Sequence, residues 1–143
     1  MAIGFHTDDC EYILRNRIKI RTWLRNCAAT EGFRIGELNY IFCSARRLLE
    51  MNRQFLGHDY YTDVITFDYS DPEQKRASGD VFIDIETVAD NAARFGATPE
   101  REMQRVIVHG LLHLCGYPDK TPETERIMHE REDFHLAQLD KLL

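Results

Sequence analysis

Apolar and polar positions recur along this chain with two different periods, and the switches between them outline its elements. Residues 3–5 read as a short first strand. Over residues 12–29 the apolar side chains Ile13, Ile20, Trp23, Leu24 and Cys27 recur near every 3.6 positions among basic ones, which predicts an amphipathic helix. Gly32 interrupts that pattern. The β-forming run 35–43 predicts a strand, and Ser44 stands where it can cap a second helix that reaches about Phe55 and ends at Gly57. Residues 63–69 alternate partly as a strand does, the polar segment 70–78 reads as a turn or loop, and residues 80–85 read as another strand. Two adjacent strands joined by a loop imply a hairpin.

The period then returns to that of a helix. Residues 87–95 form one that ends at Gly96, and Thr98-Pro99-Glu100 opens a longer one running to about Cys115, stopped by Gly116. Thr121 caps a final helix from about Pro122 onward. Strands and helices are mixed without strict βαβ alternation, which predicts an α+β arrangement of helices against a small sheet. At 143 residues and 43% hydrophobic content the chain suffices for one ordinary core, so residues 1–143 are expected to form a single domain.

Charge changes this picture less than it first suggests. The net charge is −6, yet residues 1–56 carry 9 Lys and Arg against 6 Asp and Glu, whereas residues 57–143 carry 9 against 18. A basic surface on an acidic protein can still follow a phosphate backbone, because attraction depends on local potential. Arg21, Arg25, Arg46, Arg47 and Arg53 are the expected phosphate contacts. Long apolar runs and a signal-like start are both missing, so a cytoplasmic protein with no membrane contact is expected. Cys10, Cys27, Cys43 and Cys115 show no CxxC or CxxH pairing, which argues for reduced thiols over a disulfide framework or zinc knuckle.

The chemistry concentrates where the sequence reads VIVHGLLHLCGYPDKT. His109 and His113 are four residues apart, so on a helix they leave one face and can reach one metal ion. Asp119 follows the helix-stopping Gly116, where the chain can fold back to offer a carboxylate oxygen. Three ligands leave a coordination position open, the arrangement of a catalytic zinc, one per chain. HxxxH alone is a weak signal, since two histidines at this spacing also arise as an ordinary core or surface pair. Here they sit among Val106, Val108, Leu112 and Leu114, where a metal would offset their desolvation. Gly110 occupies the place of the general-base Glu of HExxH proteases, so protease chemistry lacks its base.

The run from His109 to Tyr117, followed by Asp119, resembles the HGxLHLxGYDH signature of the YbeY family of metal-dependent endoribonucleases that mature ribosomal RNA. Thr62-Asp63-Val64-Ile65-Thr66-Phe67 resembles that family's TDVLSF strand, Gly79-Asp80-Val81-Phe82-Ile83 its GDI strand, and Met51-Asn52 its LN pair. Two positions depart from the pattern. Asp119 stands where the family usually has a third His, and Leu56 stands where it usually has an Arg a few residues after the LN pair. Arg53 or His58, on either side of Leu56, could supply the missing cation.

The resemblance implies a mixed sheet of about four strands flanked by helices, with the metal at the floor of a cleft whose other wall is the basic N-terminal half. It also implies a single-strand-specific endoribonuclease that matures the 3′ end of small-subunit ribosomal RNA and serves ribosome quality control. Ribosomal RNA and the small ribosomal subunit would be its partners, and DNA would not. Zinc would be held by His109, His113 and Asp119, with Arg53, His58 and Asp63 as further catalytic candidates. Two other readings remain open: a metal-dependent hydrolase of another substrate class, and a non-catalytic assembly factor stabilised by its metal. His129 and His135 read as solvated, His6 as terminal, Trp23 as core and Cys115 as buried beside the site. Asp63 and Asp80 divide evenly between orienting the cleft and ordinary turn or cap roles.

Overall fold

Strand β1 (Ala2–Thr7) leads through helix α1 (Arg17–Thr30) to β2 (Arg34–Cys43), then α2 (Ala45–Leu56), β3 (Val64–Asp68) and β4 (Arg76–Asp84). Three helices complete the chain: α3 (Ile85–Phe95), α4 (Pro99–Leu114) and α5 (Pro122–Leu142). These elements come from a computed structural model that describes residues 2–57 and 62–143. The sheet order is β1-β2-β4-β3, with β1, β2 and β4 parallel and β3 antiparallel to β4. This is the expected α+β domain with a mixed four-stranded sheet. None of the described helices is long and apolar enough to cross a membrane.

Alternation along the strands sorts the two faces of the sheet. Leu38, Tyr40 and Phe42 of β2 and Val81 and Ile83 of β4 point into the main core, where α1, α4 and α5 cover them with Trp23, Leu24, Ile107, Leu111 and Leu139. Cys43, Ile65, Phe67 and Phe82 point the other way, onto Leu48 and Met51 of α2. Tyr40, wholly buried, donates its hydroxyl to the Ile107 carbonyl at 2.8 Å, which ties the sheet to the middle of α4. Trp23 is buried as expected, and its indole N–H donates to the His135 carbonyl at 2.7 Å.

Several boundaries differ from the sequence reading. The first helix begins at Arg17, five residues later than the periodicity implies, because Asn16 adopts a left-handed conformation (φ 59°) and Ile13 is 80% exposed, so it takes no part in the apolar stripe. Strand β4 starts at Arg76, inside the segment read as a loop. The hairpin continues through Asp71 N–H to the Arg76 carbonyl at 2.9 Å, and small residues such as Ala77 and Gly79 hid the strand signal. Helix α3 starts at Ile85, where the sequence pattern still predicts strand, because the Asp84 carboxylate accepts from the amides of Glu86 and Thr87. Ser44, Thr98 and Thr121 cap their helices as expected.

Candidate metal centre

His109 and His113 occupy the last turns of α4 on one face, their rings 4.5 Å apart between centroids and nearly perpendicular. The helix ends at Leu114 with Cys115 as its cap, and Gly116 follows with a φ of 97°, left-handed backbone that glycine adopts without strain. The Tyr117 amide then closes onto the Leu112 carbonyl at 3.0 Å, turning the chain back over the helix end. Asp119 is thereby delivered to the histidines: its Oδ2 lies 3.3 Å from His109 Nε2 and 3.3 Å from His113 Nε2. Among the described residues this is the single group of three potential ligands whose atoms fall within 4.8 Å of one another.

Hydrogen bonding decides what those atoms can do. His113 Nδ1 is 2.9 Å from the Tyr117 carbonyl, which can only accept, so the ring proton sits on Nδ1 and Nε2 offers a lone pair. His109 Nδ1 is 2.6 Å from Glu132 Oε2, which fixes the same tautomer. Two imidazole lone pairs and a carboxylate oxygen therefore converge, an arrangement that repels itself until a cation sits among them. The spacing suits one: two atoms each 2.0–2.1 Å from a tetrahedral zinc stand about 3.3–3.4 Å apart. The donor set thus fits a divalent metal with an open coordination position.

The site rests on supports that the sequence reading missed. Glu132 is 2% exposed, and besides His109 it accepts from Arg105 Nη1 at 2.9 Å. Burial alone would lower the His109 pKa, but the hydrogen bond and charge of Glu132 outweigh it and hold the imidazole above its ordinary value. His113, pushed by burial and by its neighbour His109, lies below its own. The signal for Glu132 was the 3–4 spacing of Met128, Glu132, His135 and Leu139, which places a carboxylate on the buried stripe of α5.

Behind His113 lies a second polar cluster. Glu31, just past α1, accepts from the Tyr117 hydroxyl at 2.7 Å, from Arg131 Nη2 at 2.6 Å and from His135 Nε2 at 2.6 Å. His135, expected to be solvated, is 1% exposed and part of this cluster, because the same α5 stripe carries it inward. His129 is exposed as expected, and His6 is an exposed partner of Asn39 at 3.1 Å. Cys115 is half-buried, and burial pushes its thiol up to about 12, which leaves it a poor ligand.

Gly110 has its own reason to lack a side chain. A Cβ there would stand 2.9 Å from Val81 Cγ1, so α4 lies directly against β4 at this point. The Glu of an HExxH motif has no room here.

Beside the histidines opens a cleft of about 300 Å³ whose walls include Asp63, Glu102, His109, Asp119 and Glu132. Among the described residues its lining comes from residue 63 onward, so the wall they form belongs to the acidic half of the chain and not to the basic half that was expected. The physical reason is that α3, α4 and α5 pack around the ligands, whereas part of the basic set is engaged elsewhere. Arg21 donates to the Ile3 carbonyl at 2.9 Å, and Arg47 pairs with Asp8 at 3.0 Å. Asp63 faces the cleft, and burial raises its pKa. Asp80 instead accepts from Asn39 at 3.4 Å. Arg53 lies on the exposed side of α2, outside the lining of that cleft, and Leu56 is 46% exposed. His58 lies outside the described residues.

Comparison with known proteins follows the same lines. The family model described as Endoribonuclease YbeY matches residues 5–140. Proteins named Endoribonuclease YbeY from Cytophaga hutchinsonii and Bacteroides thetaiotaomicron are 52% identical over 136 residues and 47% identical over 137 residues. The alignments cover 95% and 96% of this chain and 94% and 98% of theirs. The solution structure of TM1509 from Thermotoga maritima superposes with a TM-score of 0.68 at 25% identity, over 96% of this chain and 89% of that one. Sharing about half its residues with such relatives over nearly their whole length, and matched by the family model from end to end of its fold, the chain belongs to the endoribonuclease YbeY family.

Proposed function

We propose that this chain, acting as one metal-dependent hydrolase domain over residues 1–143, is a single-strand-specific endoribonuclease that matures the 3′ end of small-subunit ribosomal RNA. Its work in ribosome quality control, its cytoplasmic location and its association with the small subunit are parts of the same reading. Family membership supports RNA as the substrate. The observation that carries the chemistry is the convergence of His109 Nε2, His113 Nε2 and Asp119 Oδ2 as three lone-pair donors with both Nδ1 protons tied away from the centre.

Zinc is the metal assigned to this set, with Asp119 in the position of the family's usual third His. His109, His113 and Asp119 would hold it, and it would supply Lewis acidity and a water of lowered pKa. The chain's own groups do the rest. Glu132 and the Tyr117 carbonyl hold the imidazoles in the ligating tautomer, and Asp63 shapes the charge of the adjoining cleft. Arg53 and His58 flank the position of the family Arg and are assigned to the charge growing on the phosphoryl oxygens.

The test combines metal analysis with cleavage of a small-subunit ribosomal RNA precursor. Wild type should carry about one zinc per chain and cleave near the 3′ end, and His113→Ala should lose both properties. Stoichiometric zinc in a His109→Ala/His113→Ala double variant would sink the metal assignment. Intact RNA after incubation with the zinc-loaded wild type would sink the nuclease.

A further inference from the structure

The cleft beside the histidines continues past them along α4, away from Asp119, and this far end has features the metal chemistry does not use. Glu102, seven residues before His109 on the same helix, is 8% exposed and lines the cleft. Among the described residues its carboxylate has no hydrogen-bond partner, and its oxygens keep a narrow contact with the solvent in the cleft. Its charged surroundings include Asp63 and Glu132 as well as Arg105, whose terminal nitrogens are committed to Glu132 and Asp133 at 2.9 and 2.7 Å. A first-turn Glu that served only the helix dipole would sit in solvent, as Glu100 does. A carboxylate enclosed to this degree, with only cleft solvent to bond to, stands ready to accept from a donor that displaces that solvent.

The surroundings narrow what that donor belongs to. Val106 and Met128 are buried at 4% and 1% and give the cleft an apolar floor, while Phe95 at its mouth is 69% exposed, a large ring with one face free. A phosphate is disfavoured, because Asp63, Glu102, Glu125 and Glu132 all line the space. A second metal ion is disfavoured too, since none of these carboxylates joins a three-ligand group among the described residues. What fits is a flat, largely apolar group that presents N–H donors on its edge. Seven residues of helix also separate Glu102 from His109 by about 10.5 Å. That is the reach of one nucleotide from its phosphorus to the pairing edge of its base.

We propose that the far end of the cleft is a nucleobase subsite, in which Phe95 stacks on a base and Glu102 accepts from its N–H edge while the neighbouring phosphate lies at the histidines. Guanine suits it best, because its ring N–H and exocyclic amine point the same way and match the two oxygens of one carboxylate. Uracil, with a single donor flanked by carbonyls, suits it least. The inference rests on the RNA reading above and extends it from where cleavage occurs to which base is preferred beside the cut.

Nucleosides, which carry no phosphate, separate the two ideas. Zinc-loaded, isotopically labelled protein is titrated with guanosine and with uridine, and binding is followed by NMR shifts of the Val106 and Met128 methyl groups. Guanosine should bind the wild type about 5- to 150-fold more tightly than uridine. Glu102→Gln should erase the difference with zinc retained, and Phe95→Ala should weaken guanosine about 5- to 150-fold through lost stacking. Equal or undetectable binding of both nucleosides by a protein that cleaves RNA overturns the subsite and leaves the nuclease standing. Selective guanosine binding by a protein that cleaves no RNA supports the subsite and overturns the nuclease. Shifts produced by free arginine but by neither nucleoside overturn the proposal in favour of a basic side chain from a protein partner.

Discussion

The Glu132 carboxylate sits 2.6 Å from His109 Nδ1, 23 residues away along the chain, and so decides which nitrogen of that imidazole faces Asp119. Replacing it with Gln keeps the shape but offers a neutral amide, which either accepts weakly or presents the wrong end. Metal affinity in Glu132→Gln should fall about 10- to 100-fold, as is usual for a group that orients a ligating His. Competition with a chromophoric chelator measures this directly, and an unchanged affinity would show that the tautomer is set by something else.

The contact between Gly110 and Val81 supports a packing prediction. Gly110→Ala forces a methyl to within 2.9 Å of Val81 Cγ1, and such overpacking costs about 1–3 kcal/mol. Val81→Ala should recover part of that loss when combined with it, because the two positions share one contact. Denaturant unfolding of the four proteins closes the cycle, and strict additivity would mean that the helix had moved away.

Glu31 accepts hydrogen bonds from Tyr117, Arg131 and His135 while nearly enclosed, so removing its charge strands three donors. Glu31→Ala should destabilise the fold by about 3–5 kcal/mol. Tyr117→Phe, which deletes one donor and leaves the backbone carbonyl that holds His113, should cost about 1 kcal/mol and spare metal binding. If Tyr117→Phe lost its metal with the fold intact, the hydroxyl would be shown to hold the loop in register.

The same cluster makes stability depend on pH. Burial lowers the His135 pKa below 6.5 despite the opposing pull of Glu31. The unfolded chain therefore takes up a proton that the folded chain refuses. This contribution is fully present above about pH 6.5 and is lost as the pH falls through the folded value. For Glu31 burial acts upward, but its hydrogen bonds from Tyr117, Arg131 and His135 prevail and hold the carboxyl below 4.5, so a second loss begins below about pH 4.5. Urea titrations of chelator-treated protein between pH 8 and pH 4 should show both losses in wild type. His135→Gln should show a smaller first loss, the remainder coming from His113, whose pKa is also lowered, and a parallel pH profile for both proteins would refute the assignment.

Leu56 ends α2 with its side chain 46% exposed, so an arginine fits there without strain. If Arg53 carries the charge that the family places at that position, Arg53→Ala should slow cleavage about 100- to 1,000-fold with metal content unchanged. Adding Leu56→Arg to that variant should restore part of the rate. Full activity in Arg53→Ala would shift the role to His58, whose alanine variant completes the set.

The sequence made the candidate ligand cluster legible because all three residues lie within eleven positions, where helix geometry and a glycine stop fix their relation. Ser44, Thr98 and Thr121 were equally local, each read from a hydroxyl ahead of an apolar period. What escaped were partnerships formed through space. His135 looked like a solvent-facing residue on a charged helix and Glu132 drew no assignment at all, and only the docking of α5 against α1 and α4 turns them inward. Asp84 escaped for another reason: buried in a strand, it gave no sign that it also begins α3. The acidic lining of the cleft was hidden by averaging charge over halves of the chain, since Asp63, Glu102 and Glu132 meet only once three helices are packed.

The dependence of His109 on Glu132, and of the Tyr117 loop on Arg131 and His135, also sets an order of events during synthesis. Domains form from the N-terminal side as the chain emerges. The sheet and α4 can assemble before α5 exists, but the ligating tautomer of His109 waits for a residue in the last helix to be translated and docked. Until α5 docks, the histidine cluster lacks the carboxylate that orients His109 and would hold a metal more weakly.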